Sequence, residues 1–165
     1  AYVNLNRPQN PHSIVTLKLL APSVHASPEQ LAGLESRLGY TLPDVYRTFL
    51  LGKNGGRVEE GGVVRDLTDG AKITRISRFL SVSSVSFESI ERCWEDLESR
   101  LPEQHLPIAE DAGGNVLLLS CKPEDGGVYF ADLESLDERD LANSPTALPQ
   151  VAVSFGSLLL AAAER

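Results

Sequence analysis

Between Leu106 and Ser120 the chain reads Leu-Pro-Ile-Ala-Glu-Asp-Ala-Gly-Gly-Asn-Val-Leu-Leu-Leu-Ser. Two short apolar runs flank a pair of adjacent carboxylates, a glycine pair and an asparagine. Three readings compete: the rim of an active site, a phosphate cradle, or a tight turn between two buried strands. A phosphate loop aims several glycine amides and a helix N-terminus at the anion, usually with a lysine behind. Here Gly113-Gly114 leads into an apolar strand run, with neither GK[ST] nor GxGxxG. Glu110 and Asp111, neighbours on an extended chain, point to opposite faces and make a poor acid–base pair. The turn is left. Glycine accepts positive φ and Asn115 can bond nearby backbone, so Gly113, Gly114 and Asn115 form a hairpin connection.

A buried strand pair needs other layers to cover it. Ser27-Pro28-Glu29-Gln30 predicts a helix start, with Ser27 as cap, Pro28 in the first position and Gln30 completing a capping box. Leu31, Leu34 and Leu38 follow at helical spacing, and Gly39 ends the run. A second helix begins near Pro43 with Val45, Tyr46, Phe49 and Leu50 inward, and Asn54-Gly55-Gly56 terminates it, Gly55 and Gly56 serving as turn residues. Val63-Val64 and Ile73 to Leu80, bounded by Gly61-Gly62 and Asp69-Gly70, read as strands. Phe87, Ile90, Trp94, Leu97 and Leu101 predict an amphipathic helix with Glu88, Glu91, Glu95, Asp96 and Glu98 outward and Pro102 closing it. Val116 to Leu119 and Val128 to Ala131 are paired strands around the loop from Lys122 to Gly127. Ser154 caps a last helix that buries Phe155, Leu158, Leu159 and Ala162.

This order lacks regular βαβ alternation. It predicts a single α+β domain, residues 27–165, with a largely antiparallel twisted sheet and helices packed against it. Residues 1–26 hold three prolines and read as an arm whose run Ile14 to Leu20 packs as a strand or a short helix. At 165 residues and 42% hydrophobic side chains, one core buries about two-thirds of the unfolded surface.

Charge is uneven. Residues 88–140 carry fifteen acids against four bases, whereas residues 1–87 carry ten bases against seven acids. Such a field repels nucleic acid and anionic lipid and steers basic proteins inward; the bland alternative is a surface kept acidic for solubility. With no apolar run long enough to span a membrane and no signal-peptide pattern, the sequence reads as soluble and cytoplasmic. Cys93 and Cys121 lack CxxC or histidine neighbours and read as buried free thiols. His12, His25 and His105 lie too far apart for a metal motif. No GxSxG or Ser/His/Asp set stands out. No catalytic residue, metal or cofactor is expected. Trp94, Tyr46 and Tyr129 read as core.

With these elements placed, three segments resemble one family. Leu42-Pro43-Asp44-Val45-Tyr46-Arg47-Thr48-Phe49-Leu50-Leu51 with Asn54-Gly55-Gly56 is similar to the "LPxxYRxFL…NGG" opening of the SUKH superfamily. Leu106-Pro107-Ile108-Ala109 through Gly113-Gly114-Asn115, then Val128-Tyr129-Phe130-Ala131-Asp132, resembles its "LPIAxDxxGN…VYFWD" centre. Val151-Ala152-Val153-Ser154-Phe155 with Leu158-Leu159 is similar to its closing "VAxSFxxFL" helix. The chain departs from that pattern at Ala131, where an aromatic is common, and in its N-terminal arm.

The resemblance implies an α+β fold without catalytic activity. It implies a protein-binding domain, first of all a bacterial immunity protein that neutralises a basic, nuclease-type toxin. The alternative is a regulatory or scaffold module like the fungal cell-wall-assembly regulators of the same superfamily. The acids Asp111, Glu124, Asp125, Asp132, Glu134 and Asp137 are the candidate partner contacts, with Asp111 alternatively fixing the turn.

Overall fold

In the computed structural model, which describes residues 17–20, 25–82, 89–134 and 148–163, local chemistry sets the first helix. Helix α1, Pro28–Leu38, starts where the Ser27 hydroxyl accepts the Gln30 N–H and the Gln30 side chain accepts the Ser27 N–H. Its cap residue Gly39 takes φ +85°, a conformation that a side chain resists. Leu31 and Leu34 are buried on its inner face.

Helix α2, Asp44–Gly52, buries Tyr46 and Leu50 and half-buries Phe49. Val45, expected inward, is 55% exposed. The buried stripe is centred on Tyr46 and Leu50 with Phe49 on its edge, and Val45, 100° round the helix from Tyr46, falls outside it. Arg47, on the same helix, reaches the Glu35 carboxylate of α1, which also accepts the Leu42 N–H at 2.7 Å. The two helices are thereby locked through one shared acid.

The sheet holds eight strands among the described residues: β1 Leu19–Leu20, β2 Gly56–Val58, β3 Val63–Arg65, β4 Lys72–Phe79, β5 His105–Asp111, β6 Val116–Ser120, β7 Val128–Ala131 and β8 Gln150–Ala152. Their order is β1-β2-β4-β5-β6-β7-β8, every pairing is antiparallel, and β3 also pairs with β4. The α+β architecture is as the sequence implies. Leu19 and Leu20 join the sheet as β1, which stands at its edge among the described residues.

Strands β2 and β3 are two parts of one arm of a hairpin with β4, because Gly56 opposes Phe79 while Val63 opposes Arg75. Residues 59–62 bulge out between them. At Gly62, φ +89°, a Cβ would lie 2.8 Å from the Ile76 carbonyl oxygen, so the close approach requires glycine. The Gly62 N–H donates at 2.7 Å to the Ala162 carbonyl and so holds the end of the last helix, α4, Phe155–Ala162.

Asn54 explains the Asn-Gly-Gly segment. It is buried, and its amide donates to the Val82 carbonyl at 3.0 Å while accepting the Val82 N–H at 2.8 Å. Next to it, Gly55 takes φ +78°, and a Cβ there would lie 2.5 Å from the Leu80 carbonyl oxygen. Asn54→Ala is expected to lower the unfolding free energy by about 2 to 4 kcal/mol, since two buried backbone groups lose their partner. A shifted urea midpoint with an unchanged slope checks this.

Helix α3, Ile90–Leu97, is shorter than the Phe87–Leu101 stripe. Ser89 caps it by accepting the Arg92 N–H, and a 3-10 turn, Glu98–Arg100, follows. Phe87 and Glu88 lie outside the described residues. Val151 and Ala152, read with the closing helix, instead form β8 against β7. The Ser154 hydroxyl, accepting the Ser157 N–H, separates that strand from α4.

Strand β6 is buried along its whole length. Leu117 and Leu119 face the main core with α1, α2 and α4, whereas Val116 and Leu118 face a smaller core with Leu97, Leu101, Ala131 and Leu148. This is why the run from Val116 to Leu119 shows no polar alternation.

Candidate functional site

The segment from Glu110 to Asn115 is a three-residue hairpin turn. The Gly114 N–H donates to the Asp111 carbonyl at 3.2 Å, the Asp111 N–H to the Asn115 carbonyl at 2.9 Å, and Gly114 takes φ +88°. Asp111 organises it: one carboxylate oxygen accepts the Gly113 and Asn115 N–H groups, both at 2.9 Å. The other accepts the Thr74 hydroxyl at 2.8 Å and the Asn115 amide at 3.3 Å. Asn115 in turn accepts the Leu133 N–H at 3.1 Å, joining the turn to the chain beyond β7. Glu110 bonds instead to Arg78 at 3.2 Å, so the adjacent carboxylates serve different partners.

The acids singled out by sequence fall into two groups. Asp111, Asp132 and Glu134 gather at the hairpin end, where Asp132 accepts the Glu134 N–H at 3.1 Å. Glu124 and Asp125 lie at the opposite end of β6 and β7, both exposed. At roughly 3.4 Å per residue, β6 separates the groups by about 14 Å. Asp137 lies outside the described residues. Asp125 accepts the Tyr129 hydroxyl at 2.9 Å and the Gly127 N–H at 3.0 Å. Burial and this carboxylate push the Tyr129 hydroxyl up to about 12.

Beside Glu124 and Asp125 lies a cleft of about 370 Å³ that sequence reasoning did not foresee. It opens between the C-terminal end of α1, the α3 and 3-10 segment, and the start of β5. Tyr40, Trp94, Glu98, Glu103, Gln104 and His105 line it. Gln104 takes φ +58°, and among the described residues no other non-glycine has positive φ. Its carbonyl accepts the Cys121 N–H at 2.8 Å, which ties the cleft to the loop that carries Glu124 and Asp125. The Tyr40 hydroxyl is buried without a hydrogen-bond partner.

His105 is buried, with Nδ1 2.8 Å from the Glu103 carbonyl and its ring centre 5.5 Å from that of Tyr129. Burial holds its pKa below the usual histidine value, outweighing the Glu103 carbonyl and Asp125, which favour the cation. The unfolded chain therefore takes up a proton below about pH 6.5 that the native state resists. Stability contributed at this position is present above that pH and falls as the solution is acidified toward the folded-state pKa. His105→Gln is expected to flatten the decline in melting temperature between neutral and mildly acidic buffer.

Trp94 is half-buried and packs against both cores while lining the cleft. Its core role is therefore partial. Trp94→Ala is expected to cost about 3 kcal/mol, the low end for loss of a large aromatic. Thermal unfolding of the variant measures it. Cys93 is half-buried and Cys121 buried, and burial pushes both thiols up to about 12. They stay protonated and are poor nucleophiles. Among the described residues, no three His, Cys, Asp or Glu side chains are grouped to hold a metal. None of their helices is long and apolar enough to cross a membrane.

Comparison with known proteins gives a family match over residues 25–161, to the SMI1/KNR4 family (SUKH-1). A relative from Bacillus subtilis (strain 168), the uncharacterized protein YnaB, is 25% identical over 113 residues, covering 68% of this chain. The chain spans 63% of that relative's length. A crystal structure of a protein from Pseudomonas syringae pv. tomato is similar at TM-score 0.48 and 16% identity, over 72% of this chain and 81% of that one.

Proposed function

This chain belongs to the SMI1/KNR4 family (SUKH-1), and from that premise we propose that it is a protein-binding domain that neutralises a basic toxin as its immunity partner. Domains of this family are generally non-catalytic. The observation that supports the reading is the charge at one end of the sheet. Glu98, Glu103, Glu124 and Asp125 are exposed around the cleft and its neighbouring loop, against the single half-buried cation of that loop, Lys122. A nuclease presents positive charge to its own substrate, so an acidic surface competes for the same face.

The experiment pairs the chain with the purified product of a neighbouring toxin gene that carries a nuclease or deaminase domain. Co-expression is expected to restore growth to cells making that toxin, and the two proteins are expected to co-purify. Intoxication undiminished by co-expression, with no complex formed, would remove the immunity reading. A complex that forms without protection would instead favour a regulatory module.

A further inference from the structure

We propose that the cleft beside Trp94 receives an arginine side chain of the protein partner. The inference rests on the protein-binding reading above and adds the place and chemistry of one contact. Trp94 is held by contacts with both cores, so the part of its ring lining the cleft is already ordered before a partner arrives. Preorganisation of this kind removes an entropic cost of binding. Glu98 and Glu103 line the same cleft and are exposed, and no lysine or arginine is among its lining residues. Arg37, on the adjoining helix α1, pairs with Glu95. The cleft is therefore aromatic and acidic in its lining.

A guanidinium matches both properties, because its plane stacks on an aromatic face while its N–H groups donate to carboxylates. A lysine ammonium is more strongly hydrated and lacks the planar fork. At about 370 Å³ the space suits one long side chain rather than an inserted helix or strand.

Trp94 is the chain's single tryptophan, so its emission reports on this cleft. The probes are acetyl-Gly-Arg-Gly-amide and its lysine and glutamate counterparts, titrated into the full chain. The arginine peptide is expected to give a saturable change in emission and the glutamate peptide none. The lysine peptide, and the arginine peptide against the double variant Glu98→Gln, Glu103→Gln, are each expected to bind at least roughly five-fold more weakly. No saturable change, an equal response to lysine, or a double variant that matches the parent overturns the assignment. A toxin that binds the parent and the double variant alike leaves the immunity reading intact and removes the arginine site. A toxin that fails to bind at all removes the former, and the peptide titration still decides the latter.

Discussion

Phe155→Ala is expected to lower the unfolding free energy by about 4 kcal/mol, within the range for deleting a buried aromatic. The ring is 2% exposed and stands at the centre of an aromatic group, 4.9 Å from Tyr46, 5.0 Å from Phe49 and 6.1 Å from Phe79 between centroids. Several of these contacts are edge-on, the arrangement in which the positive ring edge meets a negative face. Its removal takes one member from three pairs and leaves a cavity where α2, α4 and β4 meet. Val45→Ala, on the exposed side of α2, is the control and is expected to change stability by at most about 0.5 kcal/mol. Equal losses in the two variants, measured by urea unfolding, would show that this group is not the centre of the core.

The second large effect is kinetic. Neutralising Glu124, Asp125, Asp132 and Glu134 together is expected to slow association with a basic partner about ten-fold or more at low ionic strength, since focused fields raise on-rates by roughly 10 to 10³. The acids stand at two ends of β6 and β7, so the pairs are separable. Glu124→Gln with Asp125→Asn is expected to account for most of the change, because that end adjoins Glu98 and Glu103. Asp132 also supports its own turn through the Glu134 N–H, and its replacement is to be checked for a lowered melting temperature. On-rates that stay the same for parent and quadruple variant across a salt series would end the steering assignment.

What could be read from sequence follows from how local each signal is. The α1 start was legible because all its parts, Ser27, Pro28 and Gln30, sit within one turn. The hairpin at Asp111 to Asn115 was legible for the same reason. Val45 misled because spacing alone gives a stripe's period and leaves its centre open by one residue. Strand β8 was hidden because three residues carry no period, and Val151-Ala152 next to the Ser154 cap looks like a helix entrance. The cleft had no local signature: it joins Tyr40, Trp94 and Gln104 from three separate stretches, and a positive φ at a glutamine is announced by nothing in its side chain. The acids were grouped by proximity in sequence, yet a strand carries neighbours of the chain to opposite ends of a sheet.

The hydrogen bond from Gly62 to Ala162 joins points a hundred residues apart, and its consequence is one of timing. A chain made from its N-terminus has Tyr46, Phe49 and Phe79 in hand early but must wait for Phe155 to cover them. Loop closure over so long a span is slow compared with making a helix or a hairpin. Until then the inner faces of α2 and β4 stay open to other chains, as sticky surfaces of a half-made protein. Helix α4 thus works as the latch of the fold, and crowding on the ribosome is when its late arrival matters most.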